Sequence, residues 1–201
     1  MRELVRRLAL YAVHGLDLVR LRLRALTRPG LRIESGASSN LAHARFVLAS
    51  TARVRFAAGV VTERRPGWLC VLAEPGAEIV VEEGAWLRTE IAPVVLVAFE
   101  GARLVVGRGA LLNGCTVSAK REVRLGPGAM VGPGSRIYDA DQHARDASHP
   151  ERVAPVRVGA HAWIAADATV LCGVTVGEHA VVGTRSLVLR DVAPHTLVAG
   201  V

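Results

Sequence analysis

The sequence predicts an all-β solenoid of six-residue units, preceded by one amphipathic helix. Three observations carry this. From Val158 an aliphatic residue returns at Ile164, Val170, Val176, Val182 and Val188, and a shorter run of the same step covers Leu125, Val131 and Ile137. Small residues follow several of these, at Gly126, Gly132, Gly159, Ala165, Gly177 and Gly183. Between the two runs the pattern stops over 138–157, a polar stretch holding Asp139, Asp141, His143, Asp146 and His149. A step of six is too long for a strand's alternation and out of phase with a helix's 3.6. A fixed short period instead signals stacked identical units. Each unit then supplies a short strand, whose aliphatic side chain points inward, and a corner, where glycine would adopt positive φ at little cost. The interruption is a loop leaving a rigid scaffold, the usual place for a functional site.

The elements follow in order. Residues 1 to about 28 read as a helix: Leu4, Leu8, Tyr11, Val19, Leu23 and Leu26 keep roughly helical spacing, and Pro29-Gly30 stops it. Arg2, Arg6, Arg20, Arg24 and Arg28 fall largely on other faces. Such a basic amphipathic helix suits either a membrane surface or packing against its own solenoid or a sister subunit. Residues 31–104 hold short strand-like runs separated by turn residues, namely Arg45-Phe-Val-Leu, Arg53-Val-Arg-Phe, Cys70-Val-Leu, Ile79-Val-Val and Val94-Val-Leu-Val-Ala. Their sixfold step is weak, as expected of irregular early coils with looser corners, since terminal repeats are atypical. The regular solenoid spans 105–201.

Composition narrows the function classes. The chain has 201 residues, 51% of them hydrophobic but only 4% aromatic, which suits a narrow aliphatic interior. No apolar run is long enough to span a membrane, and no signal-type segment is evident. These features suggest a cytoplasmic protein, with peripheral contact at an inner membrane through residues 1–28 as an option. Cys70, Cys115 and Cys172 are scattered and odd in number, so they read as buried apolar residues rather than disulfides or metal ligands; Cys115 has neighbours that could place it near the site. The net charge of +7 is almost all arginine, Lys120 being the one lysine. No nucleic-acid-binding module or aromatic stacking platform accompanies that charge.

Among the chemistry-bearing residues, His143 is the sharpest candidate. An imidazole is mostly neutral near pH 7 and accepts a proton readily. A carboxylate from Asp139 or Asp141 could fix its tautomer and raise its basicity. His161 and His179 stand eighteen residues apart, one turn of a coil of three hexapeptides, and should therefore stack at a corner. His149 and His195 lack a patterned context and read as surface residues.

The stretch from Pro155-Val-Arg-Val-Gly-Ala-His-Ala-Trp-Ile through Val174-Thr-Val-Gly-Glu-His and Val181-Val-Gly-Thr-Arg-Ser to Ala199-Gly resembles the C-terminal signature of the hexapeptide-repeat acyltransferases. Upstream, Leu112-Asn-Gly-Cys-Thr-Val and Gly132-Pro-Gly-Ser-Arg-Ile-Tyr-Asp-Ala-Asp-Gln-His resemble the galactoside and maltose O-acetyltransferase branch, and polysaccharide-modifying acetyltransferases. The likeness covers about residues 104–200. It implies a left-handed parallel β-helix that forms a homotrimer, with sites between subunits, acetyl-CoA as acyl donor, a small-molecule or glycan acceptor and no metal. By position, His143 matches the family's general base and Asn113 its acceptor-binding asparagine. Trp163 matches a tryptophan near the thioester and acceptor. Ala166 and Thr184 match positions whose backbone meets the pantetheine arm. Arg190 stands where many members have a lysine contacting the nucleotide end of CoA, and Arg185, beside it on the terminal coils, suits the phosphates. Three departures stand out: Ala165 and Cys172 replace the usual glycine and proline, and the sequence stops at Val201 where relatives continue into Asn-Pro-Ala and a cap. Two other functions fit a solenoid: a metal-dependent lyase like the γ-class carbonic anhydrases, which needs three histidines converging on one ion, and a non-catalytic scaffold.

Overall fold

The computed structural model describes residues 2–144 and 146–201, with side chains from residue 10 onward. It is the left-handed parallel β-helix expected, a three-sided prism of three seven-stranded parallel sheets. The first sheet runs from Leu31–Ile33 through Arg53–Phe56, Glu78–Val81, Arg103–Val106, Glu122–Leu125 and Val156–Val158 to Thr175–Val176. The second holds Val61–Thr62, Trp86–Arg88, Leu111–Asn113, Met130–Val131, Trp163–Ile164, Val181–Val182 and Leu197–Val198. The third holds Arg45–Leu48, Leu69–Ala73, Val94–Ala98, Thr116–Ala119, Arg136–Tyr138, Thr169–Val170 and Leu187–Val188. The chain visits first, second and third sheet in turn. In the first coil a 3-10 helix, Ser39–His43, takes the second sheet's place.

The sixfold aliphatics form the interior, stacked coil on coil. Leu112, Val131, Ile164 and Val182 make one column, and Val117, Ile137, Val170 and Val188 another, all buried. Each such side chain contributes about 1.5–3 kcal/mol on burial. The weak early period has a physical cause. Val54 pairs with Ile79 and Ile79 with Leu104, a step of 25 residues, whereas Val158 pairs with Val176, a step of 18. Early strands of up to five residues and longer corners break the count of six without disturbing the stack.

The corner glycines need a correction. Gly126, Gly132, Gly159, Gly177 and Gly183 do not hold positive φ. They are required because the next coil lies against them: a Cβ on Gly159 would sit 2.5 Å from the backbone nitrogen of Glu178, and one on Gly126 2.7 Å from that of Ala160. The left-handed position falls two residues later, at Gly128, His161, His179 and His195 on one edge and Gly134, Asp167 and Arg185 on another.

The three outer faces differ. The first sheet carries ion pairs, Arg55–Glu34 and Arg103–Glu78 at 2.8 Å and Arg157–Glu122 at 3.0 Å. Exposed pairs of this kind add little stability. On the second sheet Val61, Trp86, Leu111, Met130, Trp163, Val181 and Leu197 form one outward apolar line. The third sheet presents Val47, Leu72 and Val97 in register.

Helix α1 (Arg2–Leu26) packs against the first coil, so packing on its own solenoid is the outcome for one of its faces. Leu21 enters the end of the hydrophobic core. The buried Asp17 carboxylate accepts hydrogen bonds from His43 Nε2 at 2.9 Å and Arg64 Nε at 3.0 Å. Burial alone would raise the Asp17 pKa; the bonds and charges of Arg64 and His43 outweigh it and hold the carboxyl below its ordinary value.

Two outcomes follow from this packing. Gly159→Ala should lower unfolding stability by about 1–3 kcal/mol through overpacking, whereas His161→Gly, at φ 54°, should be neutral or mildly stabilising. Equal losses in urea midpoint would contradict the close-approach account. Asp17 favours the folded state above the unfolded carboxylate pKa of about 3.9 and loses that effect as pH falls through its lower folded value. Amide protection of α1 should therefore hold at pH 5 and decline only below about pH 4.

Candidate functional site

The interruption leaves the solenoid at Tyr138, the end of a third-sheet strand, and returns at Val156 on the first sheet. Its base is an antiparallel pairing: Ala140 bridges Val153, Asp141 N–H donates to Arg152 O at 3.0 Å, and Ala154 N–H donates to Asp139 O at 2.9 Å. Asp139, expected to touch substrate or orient the histidine, is instead turned into the body of the protein. It is fully buried, and its carboxylate accepts the backbone N–H groups of Lys120 at 2.6 Å and of Arg121 and Glu122 at 2.7 Å. Both oxygens are thereby committed to the preceding corner. Asp141 faces Cys172, whose thiol donates to it at 3.3 Å. Burial, followed by this carboxylate, pushes the Cys172 thiol up.

His143 lies exposed further out on the loop, after Gln142, which holds a positive φ of 73°. The residue that organises this segment is Lys120. Its ammonium donates to the Gln142 carbonyl at 3.3 Å on the outgoing leg and to Glu151 at 2.6 Å on the return, and it sits 5.0 Å from the Phe99 ring centroid. Sequence reasoning noted Lys120 only as the single lysine, a signal that could have marked it.

A groove of about 500 Å³ lies over the second sheet, at its edge toward the third. It brings together Asn113, Trp163, Ala166 and Thr184, lined also by Leu111 and Met130. Trp163 is exposed on the apolar line. Asn113 Oδ1 is buried and has no hydrogen-bond partner. A buried acceptor without a donor is uncommon in proteins, and its place beside a groove suits a donor from a ligand. Arg190 lines a separate groove of about 360 Å³ on the last coils, with Leu187, Leu189 and Val201. Arg185 projects into solvent, 4.0 Å from Asp167.

His143 is absent from the groove lining, and the prism explains why. Its loop departs between the third and first sheets, while the groove sits on the second. Within one chain these are different sides of the solenoid.

His161 and His179 stack as the eighteen-residue spacing predicts, with ring centroids 5.0 Å apart. His195, read as an unpatterned surface residue, extends the stack at 5.1 Å from His179. It was missed because the last coil is two residues short of the regular step. Near-parallel rings present their nitrogens side by side rather than toward one point. Among the described residues, no group of three or more His, Cys, Asp or Glu side chains is arranged to hold a metal ion. Cys115 is not a site residue: it belongs to the core, and burial pushes its thiol up to about 12.

No protein-family model matches the chain. Nodulation protein L of Rhizobium meliloti (strain 1021) is 40% identical over 105 residues, covering 50% of this chain and 57% of that protein. A chloramphenicol acetyltransferase of Agrobacterium fabrum is 46% identical over 43 residues, 21% of each chain. The chain thus spans little more than half the length of the first relative and less of the second. The crystal structure of the polySia specific acetyltransferase NeuO matches with a TM-score of 0.62 and 19% identity, covering 86% of this chain and 79% of that one. By repeat, fold and relatives, the chain is a hexapeptide-repeat β-helix protein similar to the acetyltransferases.

Proposed function

We propose that the chain transfers an acetyl group from acetyl-CoA to a hydroxyl of a sugar or polysaccharide precursor. The observation that carries this reading is the groove beside the orphaned Asn113 Oδ1. An acceptor hydroxyl donating to that oxygen, once the Asn113 side chain turns into the groove, would be held next to the apolar wall of Trp163, with the thioester arm along Ala166 and Thr184. Arg190, with Arg185, would meet the phosphates of CoA, for which guanidinium geometry is well suited.

In this mechanism His143 removes the hydroxyl proton while the oxygen attacks the thioester carbonyl. The tetrahedral intermediate carries an oxyanion, stabilised by preorganised N–H donors at the solenoid edge. Its collapse breaks the carbon–sulfur bond, and the thiolate recovers the proton from the imidazolium. The products are the acetyl ester and free CoA.

The separation of loop and groove supports a shared site. A loop on one side of the prism cannot serve a groove on another side of the same chain, but it can serve a neighbour's groove. The apolar line of the second sheet, the shorter one of Val47, Leu72 and Val97 on the early coils of the third, and the charged first face suit a closed ring in which the second sheet of one copy meets the third of the next. We therefore read the assembly as a homotrimer with three shared sites.

Thermal unfolding with acetyl-CoA tests the donor site. At about 100 times its dissociation constant the ligand should add roughly 2.7 kcal/mol, and Arg190→Ala should shrink the shift. No shift at millimolar ligand would overturn the reading. His143→Ala should cut turnover about 10²–10⁴-fold while the thermal shift persists; retained activity would remove His143 from the mechanism. Lys120→Met should lower kcat with little change in the acetyl-CoA KM, and Lys120→Arg should restore part of it. A change confined to the acetyl-CoA KM would mean that Lys120 does not position the loop.

A further inference from the structure

Helix α1 has two faces, and the solenoid occupies one. Asp17 and Leu21 define the docked face, reinforced by His14 Nδ1 at 2.9 Å from Ser39 Oγ and by Arg24 donating to the Ala44 carbonyl. These contacts fix the rotation of the helix about its axis. Residues at 100° per step then put Ala12, Leu16, Val19, Leu23 and Leu26 on the opposite side, a straight line with spacings of four, three, four and three. They are open to solvent: Leu16 is 60% exposed, Val19 54%, Leu23 56% and Leu26 79%. An uncovered apolar line of this length marks a contact surface.

The charges identify the occupant. Residues 2–28 contain seven arginines and two acids, Glu3 and Asp17, and the Asp17 carboxylate is already engaged by His43 and Arg64. The exposed line is flanked by Arg20 on one side, whose guanidinium also reaches Asp17 at 3.4 Å, and by Arg22 on the other. The spacing by itself would suit a coiled coil with a second copy of the helix. In a parallel pair the flanking positions would set Arg20 opposite Gly15 and Arg22 opposite Thr27, so no acidic partner would meet either arginine and no interhelical ion pair would support the association. A negatively charged lipid surface is complementary to both features, since it accepts apolar side chains at the acyl boundary and arginines at the headgroups. No helix among the described residues is long and apolar enough to cross a membrane.

We propose that the outward face of α1 is a docking surface for an anionic membrane, on which the helix lies parallel to the bilayer while its inward face holds the solenoid. This does not depend on the acyl-transfer reading, and its test does not measure acyl transfer. The full-length chain is sedimented with vesicles of phosphatidylcholine alone and with vesicles containing phosphatidylglycerol. Binding should require the anionic lipid and weaken as salt is raised. Leu16→Asp with Leu23→Asp should reduce binding by about tenfold or more, with unchanged melting temperature because both positions are exposed. Arg22→Gln should weaken binding without abolishing it. No binding to the anionic vesicles, or equal binding by the double aspartate variant, would overturn the proposal. So would a failure to bind together with an oligomer that the aspartates dissociate, which would assign the face to helix pairing.

Discussion

Everything in this molecule depends on one constraint: each inward aliphatic must stand on its counterpart one coil away. Parallel strands lie about 4.8 Å apart, so each coil has one layer of side chains and no room for error in register. The interior is accordingly Val, Leu and Ile, with alanines such as Ala110, Ala129, Ala162 and Ala180 at the inner corners. The same spacing explains the glycines that follow the stacked residues. At Gly126 and Gly159 the neighbouring backbone comes so near that no side chain fits.

A stack this regular buries its own core but leaves three edges and two ends as places for function. The corner column shows how freely an edge can vary: Gly109, Gly128, His161, His179 and His195 all hold positive φ, and only the backbone is constrained there. The polar excursion after Tyr138 uses another edge. It could easily be a floppy insertion, yet it is pinned at its root by Asp139, which holds three amides of the preceding corner, and further out by Lys120. Both residues tie the loop to the preceding corner. Charge-assisted hydrogen bonds of this type are stronger than neutral ones, so both ends of the loop are held firmly against the solenoid.

The first coil poses the problem of an open end. Its core would face water if nothing closed it, and α1 supplies Leu21 for that purpose. A helix used as a lid needs an anchor that tolerates burial, and the Asp17–His43–Arg64 cluster provides one in which the carboxylate is satisfied from two sides. Because that anchor fixes the rotation of the helix, it also decides which residues remain outside.

Much of the architecture was legible in local pattern. The sixfold step revealed the solenoid, strand-like runs such as Arg53–Phe56 and Val94–Ala98 were readable despite a weak period, and Pro29-Gly30 marked the end of the helix within a few residues. The stacking of His161 on His179 followed from arithmetic alone. These features depend on neighbours in the chain or on a constant coil length. Tertiary structure decided the rest: that Asp139 is buried under a corner, that His195 joins the histidine stack across a shortened coil, that His143 and Asn113 lie on different sides of the prism, and that α1 buries Asp17 while exposing Leu16 and Leu23. Each of these turns on how segments far apart in the chain are placed, from 16 positions for His179 and His195 to 47 for Asp17 and Arg64. Coil length varies from 33 residues where the loop departs to 16 at the last coil, and no local period records that variation.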